Sequence, residues 1–455
     1  MNGRTSKGFL ALVGLSACAL TSARAQAQPV AQPGAQPAAQ PAAQPAAQPQ
    51  PAAQPSEQQS VLPTSPASVL PSAPPSVLPS APPSAQATPQ PVKAEQGEEG
   101  REGRDDRGLE LRLDPLVIAP VVLVQVQAAP YVGDDAFYQS GDMAEQPGFR
   151  LRRARVGFAG ELYDVAPFEV SAELVSNESA TARLNDAWIG YRFRPWLEVY
   201  AGAHKVPFSR SAIMSAGSPA LIERPLAVRA MAPFRQVGVH VEGSFLKGAF
   251  HYYAGVWNGF QRSDQFYQGY VSNAATYGNR FDDLAYSARI ATEPFGELGT
   301  EVADFERTPR LKLGAGVGYF FSDGGTRDIH GGEADLLAHW KGFHFMSEFL
   351  FSQVDPEDVP SQPTTQIARI KQLGGFGEVG YAVLKSRLAV SARVEWVNPN
   401  LDVSSEADTL VITGGASYFV VEDLIKAQLD YTHREELGGS SLKNDIVGLQ
   451  LQLKL

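Results

Sequence analysis

The chain has 455 residues, a formal net charge of −11 and a mean hydropathy of −0.17, although 44% of its residues are hydrophobic. No stretch after the N-terminus offers eighteen uninterrupted apolar residues, which excludes helical membrane spans. The single cysteine, Cys18, excludes a disulfide framework.

Residues 1–25 read as an export signal. Arg4 and Lys7 form a basic start, Phe9 to Leu20 an apolar stretch too short for an anchor, and Ala23-Arg24-Ala25 a small-x-small cleavage site. A second reading competes, because Leu15-Ser16-Ala17-Cys18 resembles a lipobox and lipidation there would tether the chain. The apolar stretch runs on past Cys18, so cleavage after Ala25 is preferred. The mature chain then has no thiol chemistry.

Residues 26–107 form a Pro/Ala/Gln-rich spacer. Ala-Ala-Gln-Pro-like units repeat over 31–55 and Ser-Val-Leu-Pro-Ser-Ala-Pro-Pro units over 68–83. Proline at this density removes backbone donors and favours polyproline II, so an extended or disordered segment is expected. Its reach is on the order of 200 Å at about 3.1 Å per residue. Lys93–Gly108 follows as a charged, glycine-punctuated hinge. A passive spacer is the plain reading and a periplasmic tether touching peptidoglycan the sharper one.

From residue 108 to Leu455 the rhythm changes to alternating segments of about ten residues, the pattern of an antiparallel transmembrane β-barrel. Sixteen strands are predicted, near 119–129, 149–162, 167–176, 184–194, 197–205, 236–246, 249–257, 284–292, 310–321, 331–341, 343–353, 369–382, 387–397, 409–420, 424–434 and 444–455. Short turns (Tyr163–Ala166, Pro195–Trp196, Lys247–Gly248) alternate with long loops (Pro130–Gly148, Val206–Arg235, Asn258–Asp283, Val354–Ala368). That alternation matches periplasmic turns and extracellular loops. Glu293–Pro309 is too long for its side, which leaves room for two more strands.

Faces follow from the period of two. In Ile446–Leu455, Val447, Leu449, Leu451, Leu453 and Leu455 share one face while Gln450, Gln452 and Lys454 share the other. Likewise Val156 and Phe158 point to lipid and Arg153, Arg155 and Glu161 to the lumen. An arginine on the lipid side would cost about 2–4 kcal/mol at mid-membrane, so insertion requires this sorting. Sixteen strands predict a water-filled bore. Signal and strands together point to the outer membrane of a diderm bacterium, with lipid around the barrel and no nucleic-acid partner.

Several segments resemble the phosphate-selective porin O and P family: Phe149-Arg-Leu-Arg-Arg-Ala-Arg-Val-Gly-Phe158, Ala187-Trp-Ile-Gly-Tyr191, Gly202-Ala-His-Lys-Val-Pro-Phe208, Ile222-Glu-Arg-Pro225, Pro233-Phe-Arg-Gln-Val-Gly238 and Tyr253-Ala-Gly-Val-Trp-Asn-Gly259. They run through the first half of the barrel. The resemblance implies a sixteen-stranded barrel, usually trimeric, that conducts anions and in some members prefers phosphate. It also implies that Val206–Arg235 folds inward as the constriction.

That loop with its edge carries Lys205, Arg210, Arg224, Arg229 and Arg235 against Glu223 alone, a local positive excess in an acidic chain. Guanidinium forks suit phosphate and carboxylate, and positive rings favour anions in pores. Arg153 and Arg155 extend a basic lane, with Arg192, Arg289 and Lys312 as further contributors. Against this stands wall bracing: Glu161, Glu169, Glu173, Asp186, Glu242, Glu333, Asp335 and Glu378 also point inward, which makes general anion preference the first expectation and phosphate specificity the second. Arg224 and Arg235 are the leading site candidates. A sugar or small-acid channel and a structural tether are the alternatives.

No histidines stand in metal-ligand spacing, and no cofactor or catalytic constellation is expected. Gly314-Ala-Gly-Val-Gly318 lacks the helix and Lys-Ser/Thr of a phosphate loop and reads as small lumen-facing strand residues. The chain is read as a channel rather than an enzyme.

Overall fold

The computed structural model describes residues 110–134, 147–175, 182–263, 266–270, 283–299, 301–323, 327–356, 369–405, 407–421, 424–439 and 441–455. The export signal, Cys18 and the spacer over 26–107 lie outside the described residues, as do parts of the loops over 130–148, 258–283 and 354–368.

A three-residue strand, β1 (Leu111–Leu113), pairs with the start of β2 (Leu116–Val132). The strands that follow are β3 (Gly148–Leu162), β4 (Ala166–Glu173), β5 (Arg183–Arg194), β6 (Leu197–Lys205), β7 (Arg235–Phe245), β8 (Phe250–Asn258), β9 (Leu284–Thr292) and β10 (Lys312–Asp323). Then come β11 (Arg327–Trp340), β12 (Phe343–Pro356), β13 (Ile370–Leu384), β14 (Leu388–Asn398), β15 (Thr409–Val421), β16 (Ile425–Glu436) and β17 (Ile446–Lys454). From β2 onward each strand pairs antiparallel with the next, and β17 pairs with β2 to close a sixteen-stranded barrel. Closure leaves no sheet edge, as a strand protein in lipid requires.

The closing seam shows how sequence sets register. Gln125 Nε2 donates to Gln452 Oε1 at 2.7 Å, and Gln127 Nε2 to Gln450 Oε1 at 2.8 Å, both inside the lumen. Leu449, Leu451 and Leu453 take the alternate positions and face outward. A one-residue slip would put the glutamines in lipid. At Lys341-Gly342 both residues have positive φ (52° and 92°), the backbone of a two-residue hairpin whose twist matches its strands.

Among the described residues Glu293–Pro309 holds no strand, so the count of sixteen stands. The segment folds into the short-turn mouth of the barrel, where Leu298, Val302, Ala303 and Phe305 are buried. Asp304 accepts from the backbone N–H groups of Thr308 and Gly342. Glu301 pairs with Lys454 at 3.3 Å and Lys426 at 3.8 Å.

The loop between β6 and β7 turns into the lumen. It carries α1 (Arg210–Ile213), whose N-cap Ser209 accepts from Ala212 N–H, and α2 (Leu226–Met231), which starts after Pro225. Phe208, Leu226 and Met231 join one apolar cluster with Phe320, Leu337, Leu350 and Phe376 of the wall. Glycines make the seat. A Cβ on Gly318 would lie 2.5 Å from the Phe208 carbonyl oxygen, and one on Gly374 2.8 Å from the Met231 side chain. The small residues of Gly314–Gly318 therefore admit the loop, in keeping with their reading as strand residues.

The inward loop fills the lumen unevenly. Inward side chains of β9–β17 are for the most part buried under the loop, whereas many of those on β3–β8 stay half-exposed. Water has its room along the β3–β8 wall.

Candidate anion pathway

Burying a loop in a lumen leaves its backbone polar groups in need of partners. The wall supplies them. Glu348 on β12 accepts from Ser211 N–H and the Ser209 hydroxyl, each at 2.6 Å. Glu395 on β14 accepts from Leu226 N–H, and Asp430 on β16 from Ile222 N–H at 2.6 Å. In the other direction Lys426 Nζ donates to the Gly217 carbonyl at 2.6 Å, Ser417 to that of Ala220 at 2.6 Å, and Arg393 to that of Glu223 at 3.0 Å. The tip also meets the mouth segment, where Val302 N–H donates to the Ser218 carbonyl at 3.3 Å.

The seven site candidates take four different positions. Arg210 braces: its guanidinium bridges Asp335 at 2.6 Å and Glu293 at 3.2 Å. Arg229 is half-buried on α2 in the field of Glu223 and Glu395. The structure brings Lys205, Arg235 and Arg155 of the open wall together with Arg224, which is buried on the loop. Lys205 Nζ donates to the carbonyls of Ile213 and Met214, at 2.6 and 2.7 Å, at the C-terminal end of α1. Arg224 donates to the carbonyls of Ser211 and Met214. Two cations thus meet on the Met214 oxygen, and neither has a carboxylate at ion-pair distance among the described residues. Arg235 holds Asp186 through two bonds of 2.9 Å, and Arg155 holds Glu173 at 2.6 Å. Burial, and after it the neighbouring Arg155 and Arg235, push Arg224 down to about 9. The neighbouring cations add to the effect of burial, as crowded positive charge does.

Arg153 belongs to a second group that the strand period conceals. A bulge on β3 opposite Gln125 and Val126 inserts one residue, so Arg150, Arg152 and Arg153 all face inward. They surround the loop's one acid: Arg152 reaches Glu223 at 2.7 Å, Arg153 at 3.7 Å and Arg150 at 3.9 Å. Burial alone would raise Glu223, but Arg152 and Arg153 hold it well below the usual carboxylate range. Glu223 is an anchor between loop and wall. Arithmetic on loop charges missed this, since the compensating cations stand seventy residues earlier.

Sequence reasoning also missed Glu348, Glu395 and Asp430 as loop holders. The inward placement of all three was legible from the strand period, but not that they grip backbone. Of the further cations, Arg289 is sealed between Glu333 and Asp335, Arg192 pairs with Glu161 and Glu198, and Lys312 donates to the Glu297 carbonyl.

The model of the family described as phosphate-selective porin O and P matches residues 125–302. Over those residues the barrel is similar to that family of porins. The match spans β3–β8 and the inward loop, the elements that form the open wall. Two solved structures share the fold: the outer-membrane expressed OmpT of Vibrio cholerae (11% identity, TM-score 0.51, covering 76% of this chain and all of that one) and an anion-selective porin from Comamonas acidovorans (12% identity, TM-score 0.50, covering 75% and all). No curated protein matches the sequence. Family and fold place the porin in an outer membrane, in contact with its lipids, and suggest a channel rather than an enzyme.

Proposed function

We propose that this porin passes small anions, phosphate among them, by passive diffusion along the β3–β8 wall, past a constriction set by the inward loop. One observation carries the reading. Lys205 and Arg224 converge on one carbonyl beside Arg235 and Arg155, and the first two have no carboxylate partner among the described residues. An entering anion relieves that repulsion, and guanidinium forks fit its oxygens. General anion preference comes first and phosphate specificity second, because Asp186, Glu173 and Glu169 line the same wall.

The same reading extends to the rest of the chain. Residues 1–25 are removed as a signal, 26–107 form a periplasmic spacer able to touch peptidoglycan, and 108–455 insert as a homotrimeric barrel. Bilayer recording under a KCl gradient, followed by phosphate titration, tests the core of it. An anion-selective reversal potential with phosphate block at low concentration supports a phosphate site. Selectivity without block leaves a general anion porin. Absence of conductance favours a structural tether between outer membrane and cell wall.

A further inference from the structure

Below the basic cluster the open wall changes character. Register aligns four inward positions across four strands: Trp188, Gly202, Gly238 and Trp257. The next inward row, towards the short turns, reads Gly190, Tyr200, His240 and Gly255. Down each of the four strands a large residue is followed by a glycine or the reverse, and the rings of Tyr200 and Trp257 lie over Gly190 and Gly238 of the neighbouring strands. A Cβ on Gly190 would stand 2.7 Å from the Tyr200 ring, and one on Gly238 or Gly255 2.7 Å from Trp257. The glycines make room for the Tyr200 and Trp257 rings.

The rings are also locked together. Trp188 meets Tyr200 edge-on at 5.5 Å, Tyr200 stacks on His240 at 4.9 Å with 8° between planes, and His240 stacks on Trp257 at 5.8 Å. Tyr200 is held further by its hydroxyl, which donates to Glu198 at 2.7 Å. Trp188 and Tyr200 are half-exposed while His240 and Trp257 are buried behind them. The result is a fixed, partly apolar surface whose two half-exposed rings, Trp188 and Tyr200, stand at 65° to each other, so that a flat partner can lie on one face and meet the edge of the other.

Its position relative to the cations identifies that partner. Arg235 reaches across to Asp186, one inward position above Trp188, hence about 7 Å from it along the strand. Arg235 uses Nε and Nη2 on Asp186, and its Nη1 points to no acceptor among the described residues. A carboxylate at Arg235 with a ring against Trp188 and Tyr200 spans that gap.

We infer that the open wall binds small organic anions with a flat apolar body, arylcarboxylates as a class, with the carboxylate on the basic cluster and the ring on the Trp188–Tyr200 floor. This rests on the anion-porin reading and narrows it. The test records chloride current through the full-length porin in a planar bilayer while benzoate, acetate or glucose is added. The expected result is half-block by benzoate at a concentration about tenfold below that for acetate, the scale of one aromatic contact, with glucose inert. Trp188→Leu brings the two acids together. Equal block by benzoate and acetate in the wild-type channel overturns the inference. Block by glucose overturns it too and makes the floor a sugar platform. The reversal potential of the same channels under a KCl gradient judges the underlying reading separately: a channel without anion selectivity removes both, whereas anion selectivity with equal block removes the inference alone.

Discussion

The two halves of this barrel share one scaffold and one alternation of faces, yet the loop seals one and leaves the other wet. On the sealed half, β9–β17, inward carboxylates accept backbone N–H groups of the loop, and Gly318 and Gly374 make room for its side chains. On the open half, β3–β8, carboxylates pair instead with arginines of the wall itself or of the loop's ends, as Glu173 does with Arg155 and Asp186 with Arg235. An inward carboxylate therefore has no fixed meaning. Facing a docked backbone it is structural; facing water beside an arginine it tunes the field. Selectivity belongs to the half with water in it, and the many buried ion pairs of the other half contribute nothing to it directly.

The largest expected effect comes from reversing charge on the open half. Arg224→Glu with Arg235→Glu replaces two cations of the cluster beside Asp186 and should turn anion into cation preference, a change of about tenfold or more in permeability ratio, since potentials of several kT build up in such clefts. Reversal potentials read it directly, and an unchanged value removes both residues from the pathway. The matching change on the sealed half is Glu348→Leu, Glu395→Leu and Asp430→Leu. Each leaves buried loop N–H groups without an acceptor, at about 1–3 kcal/mol apiece. The loop should loosen, and single-channel conductance should rise and become noisier. A conductance indistinguishable from wild type would mean that the apolar cluster around Phe208 and Met231 holds the loop unaided.

The barrel itself was legible in sequence because its period is simple: polar in, apolar out, as at Gln450–Leu453. So were the inward loop and its cations, through the resemblance of Lys205–Phe208 and Glu223–Pro225 to family segments. Their partners were not legible. Arg150 and Arg152 were concealed because one bulge residue inverts the face assignment upstream of it. Trp188, Tyr200, His240 and Trp257 come from four strands, and only register reveals that they form rows. The anomalous length of Glu293–Pro309 was visible, but length alone cannot distinguish two strands from a segment folded into the mouth.

A smaller effect belongs to that mouth. Glu301→Gln removes a half-exposed pair with Lys454, worth about 1 kcal/mol or less, and a longer one at 3.8 Å with Lys426, which is buried and keeps its bonds to the Gly217 and Pro219 carbonyls. Thermal unfolding of the purified porin should move slightly downward while the reversal potential holds. A shifted reversal potential would place the mouth segment in the selectivity-determining path and blur the division between the halves.

The smallest expected effect is that of acid on the anchor joining the halves. Glu223 is buried among Arg150, Arg152 and Arg153 and held well below the usual carboxylate range. A carboxyl depressed on folding contributes stability above its unfolded value, and that contribution is lost only as pH falls through the lower folded value. Between pH 7 and about 4, where an ordinary glutamate begins to protonate, this one remains ionised and the loop stays clasped to β3. Open-channel noise in bilayer recordings should therefore stay level over that range. Glu223→Gln should be noisier at pH 7 already, because it leaves three arginines without their carboxylate. Noise that rises in the wild type on approaching pH 4 would show that Glu223 protonates there and that some other contact holds the loop at neutral pH.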